Sequence, residues 1–524
     1  MRFDLDNLPA DPALLQQLVR DLAEVVERQK ADLAELEALR QQLRQMQRTV
    51  FGRRSERLDA DQLDLGLDDL EADIARVEAK LATDSLDTAP EPAEATEGQE
   101  GRGRDWPDHL PLHDVIMEPE GLDAAAGVCP CCGDALHAAG ETIARMVDYV
   151  PAQVRVLRIR RPKYACRGCG CGTLHQASAP DKPAAKGMAT PAMLAHVITS
   201  RYCDHLPFYR QAQILARNGF PVDRSVLARW AGQACWWLET VQEELAKAVF
   251  ASAKLFADDT PMPTLAPGTG RVKTGRFWAY ARDDRPWQGT DPPAVVYAYT
   301  SDRKGERPAG HLRDFHGVLQ VDGYAGFERL AAGNRVVLAA CWSHARRRFY
   351  DLAENGSPIA AEALRRIARL YAIEERIRGR TADERRQVRQ AESAPQVADL
   401  KLWLERALPR LPGRSKLAEA IRYALGRWKA LCVYLDDGRV EMDTNTVERC
   451  IRPVALSRKN SLFAGSEGGG HRWAVIASLV ETCKLNDVEP FAYLRDILER
   501  MVNGYPASRV ADLLPWNWKP AVNS

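Results

Sequence analysis

Three acids, far apart in the chain, are of a type and placement that could hold divalent cations. Asp258 follows an apolar run in Phe256-Ala257-Asp258-Asp259-Thr260-Pro261, and Asp322 ends another in Leu319-Gln320-Val321-Asp322-Gly323-Tyr324. Glu448 lies in Asn445-Thr446-Val447-Glu448-Arg449-Cys450-Ile451-Arg452-Pro453. Carboxylates within a few ångströms of one another repel unless cations lie between them, and oxygen ligands suit hard Mg²⁺. Two such ions about 4 Å apart can activate a water and stabilise a leaving 3′-oxygen. Acids beside Gly and Pro are often only turn formers. Two at the ends of strand-like runs, followed by a third on a helix, favour a site. On that helix Asn445, Glu448, Arg449 and Arg452 stand at i, i+3, i+4 and i+7, so one face carries an amide, a carboxylate and two guanidiniums. A surface ion pair of Glu448 with Arg452 would explain the same spacing. Arg458 and Lys459 follow in a basic, polar segment apt for phosphates. The glycine-rich Gly465-Ser466-Glu467-Gly468-Gly469-Gly470 lacks the spacing of a phosphate cradle and is given no nucleotide role.

A second chemistry belongs to the cysteines. Cys129-Pro130-Cys131-Cys132-Gly133 and Cys166-Arg167-Gly168-Cys169-Gly170-Cys171 are two C-x2-C knuckles separated by 33 residues. Four thiolates, from Cys129, Cys132, Cys166 and Cys169, would make a closed, structural Zn²⁺ site. Cys131 and Cys171 leave the ligand register open, and scattered buried thiols are the plainer alternative. Between the knuckles, Arg155, Arg158, Arg160, Arg161 and Lys163 interleave with Val154, Val156 and Ile159. This reads as a strand with one basic face, suited to a DNA backbone as well as to water. A further Cys, in Cys341-Trp342-Ser343-His344-Ala345-Arg346-Arg347, has a His three residues on. Two residues are too few ligands for zinc, so His344 and Arg346 are expected to face the site or DNA.

The acids must be positioned by a sheet. Five short apolar runs begin at Leu255, Phe277, Val295, Val318 and Val336, with turn signals between them. The first three are close enough for an antiparallel meander, and the last two are separated as in a parallel crossover. Three antiparallel strands, then helix, strand, helix, strand, helix is the order of a ribonuclease-H-like domain. In it the strands bearing Asp258 and Asp322 are neighbours. The 126 residues from Asp322 to Glu448 exceed what such a core needs. Residues 345–440 therefore read as a helical insertion, with helices over Glu362–Arg376, Asp399–Ala407 and Lys416–Leu435.

Upstream, residues 190–240 look all-helical. Thr190-Pro191 opens one helix, a second stops at Gly219, and Asp223 caps a third that begins with Arg224, Ser225 and Arg229. A helix-turn-helix fits, although helical hairpins are common. At the start, Leu15, Leu18, Leu22, Val25, Leu36, Leu39, Leu43 and Met46 form a heptad seam, interrupted at Gln29 and Asp32. It could pair two copies or pack on its own chain. The expected class is thus α+β and multidomain. It comprises a helical coiled-coil region (1–83), a flexible acidic linker (84–108), a zinc ribbon (109–180) and a helix-turn-helix (181–250). A catalytic core (251–344 and 441–482), the insertion (345–440) and a C-terminal extension (483–524) complete it.

The 524 residues carry 72 Lys+Arg and 72 Asp+Glu, a net charge of +0. Charge is nonetheless segregated, with net −15 over residues 59–120 and net +9 over residues 141–230. One basic face suffices for phosphate, so neutrality does not exclude nucleic acid. No apolar run approaches the roughly 18 residues of a membrane span, and the acidic start lacks a secretory signal. A reducing compartment is therefore expected, where paired cysteines point to metal.

Together these segments resemble the DDE transposases of insertion-sequence family 66, nearly end to end. The likeness rests on Phe51-Gly52-Arg53-Arg54-Ser55-Glu56, the knuckles, His205-Leu206-Pro207-Phe208-Tyr209-Arg210 and the segments around Asp258, Asp322, Cys341 and Glu448. It continues in Arg458-Lys459-Asn460, Pro490-Phe491-Ala492-Tyr493-Leu494 and Leu513-Leu514-Pro515-Trp516-Asn517-Trp518. The resemblance implies a catalytic triad of Asp258, Asp322 and Glu448 with two Mg²⁺, and phosphate contacts from Arg449, Arg452, Arg458 and Lys459. It also implies DNA partners (terminal repeats and target), a homodimer or higher assembly, small accessory proteins of the same element, and a place in the cytoplasm at the bacterial nucleoid. Asp259 departs from the Glu usual in that family. The rival expectations are a zinc-ribbon and helix-turn-helix DNA-binding protein without catalysis, and a ribonuclease-H-like nuclease that does not join strands.

Overall fold

The computed structural model describes residues 153–165, 174–184, 187–266, 268–331 and 335–520. The heptad region, the acidic linker and Cys129, Cys132, Cys166 and Cys169 lie outside them. From Val156 onward the described residues belong to one compact unit; residues 153–155 belong to another, and all three are exposed. Strands β1 (Lys163–Ala165) and β2 (Leu174–Gln176) form an antiparallel pair.

Local signals set the first helices where the sequence placed them. Thr190 accepts from the Met193 N–H at 3.2 Å and Pro191 opens α1 (Pro191–Tyr202). Helix α2 (Phe208–Arg217) ends before Gly219, whose φ of +79° suits glycine. Asp223 accepts from the Ser225 N–H at 2.8 Å and starts α3 (Arg224–Phe250). At 27 residues α3 reaches well past the expected motif. Leu227, Leu238 and Val241 of α3 and Leu194 and Val197 of α1 share one buried apolar cluster with the sheet, so packing continues across residue 250.

Strands β3 (Lys254–Ala266), β4 (Arg271–Arg282), β5 (Ala294–Thr300), β6 (Gly317–Val321) and β7 (Val336–Ala340) form one sheet in the order β5-β4-β3-β6-β7. Pairs β3–β4 and β4–β5 are antiparallel; β3–β6 and β6–β7 are parallel. Helix α4 (Glu306–His311) lies in the β5–β6 connection. The β3–β4 hairpin outruns the apolar pattern because Pro261 and Pro263 read as breaks. Beyond Ala257, β3 has no partner on its β6 side, and a free edge tolerates proline. The Pro261 and Pro263 carbonyls, facing away from β4, accept instead from the Arg458 side chain and the Ala464 N–H.

After β7 come α5 (Trp342–Glu354), α6 (Pro358–Ile377), α7 (Ala382–Val388), α8 (Ala394–Ala407) and α9 (Lys416–Gly426). Helix α7, with its Thr381/Glu384 capping box, is an addition to the expected insertion; it runs through a π turn at Arg389–Ser393 into α8. Here Trp342, Phe349, Ile367, Leu400, Ile421 and Tyr434 make a second buried cluster with Val318, Ala339 and Ala340. Val318 joins this cluster and Leu319 the other, so the sheet separates two cores. Helix α10 (Asn445–Ser461) crosses β3 and β4. Helix α11 (Glu467–Leu485) covers the edge strand, its Ser478 and Thr482 hydroxyls accepting from the Tyr297 and Val295 N–H groups at 2.8 and 3.1 Å. Glycines 468–470 are its first turn, where Gly470 touches the Tyr299 ring with no room for a Cβ. Helix α12 (Pro490–Val502) packs on α1. Among the described residues no helix is long and apolar enough to cross a membrane.

Candidate active site

Parallel register brings the first two acids together. Ala257 is level with Val321, so Asp258, which lies inside β3 and not after it, stands beside Asp322 at the point where β6 ends. Neighbouring strands are about 4.8 Å apart, which puts the two carboxylates in reach of one cation. One oxygen of each is already oriented by a local amide: Asp259 N–H donates to Asp258 Oδ1 at 2.7 Å, and Tyr324 N–H to Asp322 Oδ1 at 2.9 Å. Gly323 has φ +100°, and a Cβ there would lie 2.8 Å from Arg427 Nε. Helix α9 grips this turn, Tyr423 donating to the Asp322 carbonyl at 3.1 Å and Arg427 to the Gly323 carbonyl at 3.2 Å.

The third acid arrives on a segment stapled to the strand ends. Buried Gln320 accepts from the Glu441 N–H and donates to the Glu441 carbonyl, both at 2.9 Å. Trp342 N–H donates to the Met442 carbonyl at 3.0 Å. This delivers α10, and Glu448 sits in its first turn, 3 % exposed. Thr444 donates to Glu448 Oε1 at 2.9 Å, and His344 Nδ1 lies 3.9 Å from that oxygen. The Asp258 carboxyl is held well above its ordinary range, first by burial and then by the negative charge of Asp322, Asp259 and Glu448. The charges of Asp322 and Glu448 both reach Asp258, and an all-oxygen donor set with mutual repulsion fits a hard divalent cation, although among the described residues ligand atoms of the three acids do not all lie within 4.8 Å of one another.

Arginines missed in the sequence surround this locus. Asp259 bridges Arg303 at 2.9 Å and Arg276 at 3.2 Å, and Arg303 lies over the Tyr324 ring at 4.2 Å. Burial raises the Asp259 carboxyl, and these two guanidiniums oppose it. Neither arginine stood out by spacing, because the loop carrying Arg303 closes on Asp259 only in three dimensions.

The expected basic residues divide. Arg155, Arg158, Arg160, Arg224, Arg229, Arg449, Arg452 and Lys459 are exposed. Arg449 borders a cleft of about 330 Å³ with Arg285, Arg378, Asp443 and Asn445. Arg346 and Arg458, expected to face DNA, are 3 % and 6 % exposed. Arg458 closes the free edge of β3, and Arg346 stacks on Tyr350 at 5.6 Å. The polar segment around them is likewise engaged inside the fold, Ser457 with His205 and Ser461 with Arg201. Glu448 and its helix neighbours thus do not share one exposed face: the carboxylate is buried, the two guanidiniums are outside.

A family model described as "Transposase IS66 family" matches residues 186–472, and one for the "IS66 C-terminal element" matches 478–516. The "zinc-finger binding domain of transposase IS66" matches 127–170, and "Transposase C of IS166 homeodomain" matches 38–115. Similar curated proteins come from Sinorhizobium fredii (strain NBRC 101917 / NGR234). Uncharacterized protein y4jD is 40% identical, covering 98% of both chains. Uncharacterized protein y4qI is 41% identical over 91% of this chain and 88% of its own. Uncharacterized protein y4hP is 36% identical over 92% and 89%.

Proposed function

The chain belongs to the IS66 transposase family, and from that premise we propose that it is a DNA transposase. In this reading it binds the terminal repeats of its element, cuts at each end and joins the freed 3′-hydroxyls to target DNA. The sheet order β5-β4-β3-β6-β7, with its mixed senses, supports a ribonuclease-H-like core made of residues 251–344 and 441–482, interrupted by the helical insertion 345–440. The observation that carries the reading is the level placement of Asp258 and Asp322 together with Glu448's charge acting on Asp258.

Asp258, Asp322 and Glu448 would hold two Mg²⁺, which supply activation of the attacking oxygen and neutralisation of the scissile phosphate. The chain's own groups do the rest. Backbone amides of Asp259 and Tyr324 and the Thr444 hydroxyl aim one oxygen of each carboxylate. Arg303 and Arg276, held by Asp259, put positive charge beside the acids. Exposed Arg449, Arg452 and Lys459 would position the DNA backbone. Cys129, Cys132, Cys166 and Cys169 would hold one structural Zn²⁺, and Arg155, Arg158, Arg160, Arg224 and Arg229 would bind the ends. Residues 1–83 would pair protomers, and accessory proteins of the element would join the assembly.

The test is strand transfer with a duplex carrying the inverted repeats that flank the gene. Asp322→Asn should abolish cleavage and joining while leaving end binding within about twofold of the parent. Retained cleavage would remove the proposed role. A parent protein that binds the ends but never nicks in Mg²⁺ would favour a DNA-binding regulator, and nicking without joining would favour a nuclease.

A further inference from the structure

Two residues beside Glu448 have no part in the chemistry above. Strand β7 lies next to β6 with Ala340 level with Val321, so Cys341 stands level with Asp322 at the same end of the sheet. The next residues open α5, which carries His344. One ligand atom each from Cys341, His344 and Glu448 lies within 4.8 Å of the others. By sequence the Cys-x-x-His pair lacked a third ligand; the fold supplies it from a residue 104 positions beyond His344.

We infer that Cys341, His344 and Glu448 form a second cation site, for a borderline or thiophilic divalent ion such as Zn²⁺, beside the all-oxygen pair Asp258 and Asp322. The inference deepens the proposed function, since Glu448 belongs to both, and a carboxylate has two oxygens to share.

Three observations argue for a site over packing alone. First, the separations come close to those of a bound ion, needing only a small closure. Bonds of 2.0–2.3 Å in tetrahedral geometry put zinc ligand atoms roughly 3.3–3.8 Å apart, and His344 Nδ1 is 3.9 Å from Glu448 Oε1. Second, one residue orients two of the ligands: Thr444 donates its N–H to Cys341 Sγ at 3.3 Å and its hydroxyl to Glu448 Oε1 at 2.9 Å. Outer partners of this kind fix the aim of metal ligands. Third, the site is accessible from one side. Cys341 and Glu448 are 2 % and 3 % exposed, whereas the His344 side chain is 26 % exposed. A sulfur, nitrogen and oxygen set favours zinc or cobalt over magnesium, and three protein ligands leave a position open for water or a phosphate oxygen.

Cobalt is the probe, because thiolate coordination to Co²⁺ gives an intense charge-transfer absorption. The full-length chain, stripped of metal with a chelator, is titrated with Co²⁺ alone beside C341S, H344A and the D258N/D322N double variant. The knuckle cysteines are common to all four and cancel in difference spectra. Parent minus C341S should show the charge-transfer band at one Co²⁺ per chain. H344A, altered at the accessible ligand, should weaken that binding by at least about tenfold, and D258N/D322N should keep the band. A flat parent-minus-C341S difference overturns the inference. So does a band that survives in C341S and H344A but vanishes in D258N/D322N. Circular dichroism of each variant checks folding. A cobalt band alongside strand transfer that persists in Asp322→Asn would overturn the proposed chemistry and leave this site standing. A flat difference with strand transfer lost in Asp322→Asn would do the reverse.

Discussion

Asp258 and Asp322 repel each other across one strand spacing, and the fold tolerates this only with compensation. A cation binding the folded chain alone stabilises it by RT ln(1 + [L]/Kd), about 2.7 kcal/mol at 100 times Kd. Mg²⁺ added to chelator-treated protein should therefore raise the melting temperature, and Asp322→Asn should lose most of that rise; equal rises in both would break the link to this pair. Asp443 offers a separate titration. Its carboxyl is pushed up to about 6, first by burial and then by Glu441, against the attraction of Arg378 and Arg449. An acid raised on folding favours the folded state when protonated. That contribution is complete below its ordinary 3.8 and lost as pH climbs through about 6. Asp443→Asn should then melt above the parent at pH 7.5, with the gap closing by pH 4, as calorimetry would read.

Elements deliver the acids through a few polar staples. Gln320, fully buried on β6, pairs with both backbone groups of Glu441 and so sets where α10 begins. Gln320→Ala would leave a buried donor and acceptor unmade, and should cost about 1–3 kcal/mol in urea unfolding; a loss under 0.5 kcal/mol would show that the staple is dispensable. Glu441 itself is buried among charges. Burial would raise its carboxyl, but Arg385, Lys254 and Arg389 outweigh that and hold it below its ordinary value. Arg389, fully buried at the π turn, binds Glu374 at 2.6 and 2.8 Å and the Tyr434 carbonyl at 2.8 Å. Such networks were invisible as patterns, because partners at 374, 389 and 441 share no periodicity. The apolar runs of all five sheet strands and the caps of α1 and α3 were legible, since short-range chemistry sets them.

Across the whole molecule, charge is segregated and net zero, so DNA affinity should depend on local basic faces. Arg155, Arg158 and Arg160 are exposed. Replacing all three with Ala should weaken binding of the element ends and reduce the slope of log K against log salt by roughly 2–3, near 0.9 per phosphate lost; an unchanged slope would place DNA elsewhere. The sequence alone determined the family, the five strand runs, Asp322 at the end of one of them and the helical character of the insertion, whereas Asp258, expected to follow its strand, lies inside β3 because the strand continues through Pro261 and Pro263 to Ala266. The former depend on neighbours within a few residues, or on segments whose spacing is itself the signal. Only the tertiary structure decided that Arg346 and Arg458 are interior, that Asp259 holds Arg303 and Arg276, and that Cys341 and His344 meet Glu448. Those facts depend on strand register and on contacts between residues 17 to 197 positions apart, which hydrophobic period and turn chemistry do not encode.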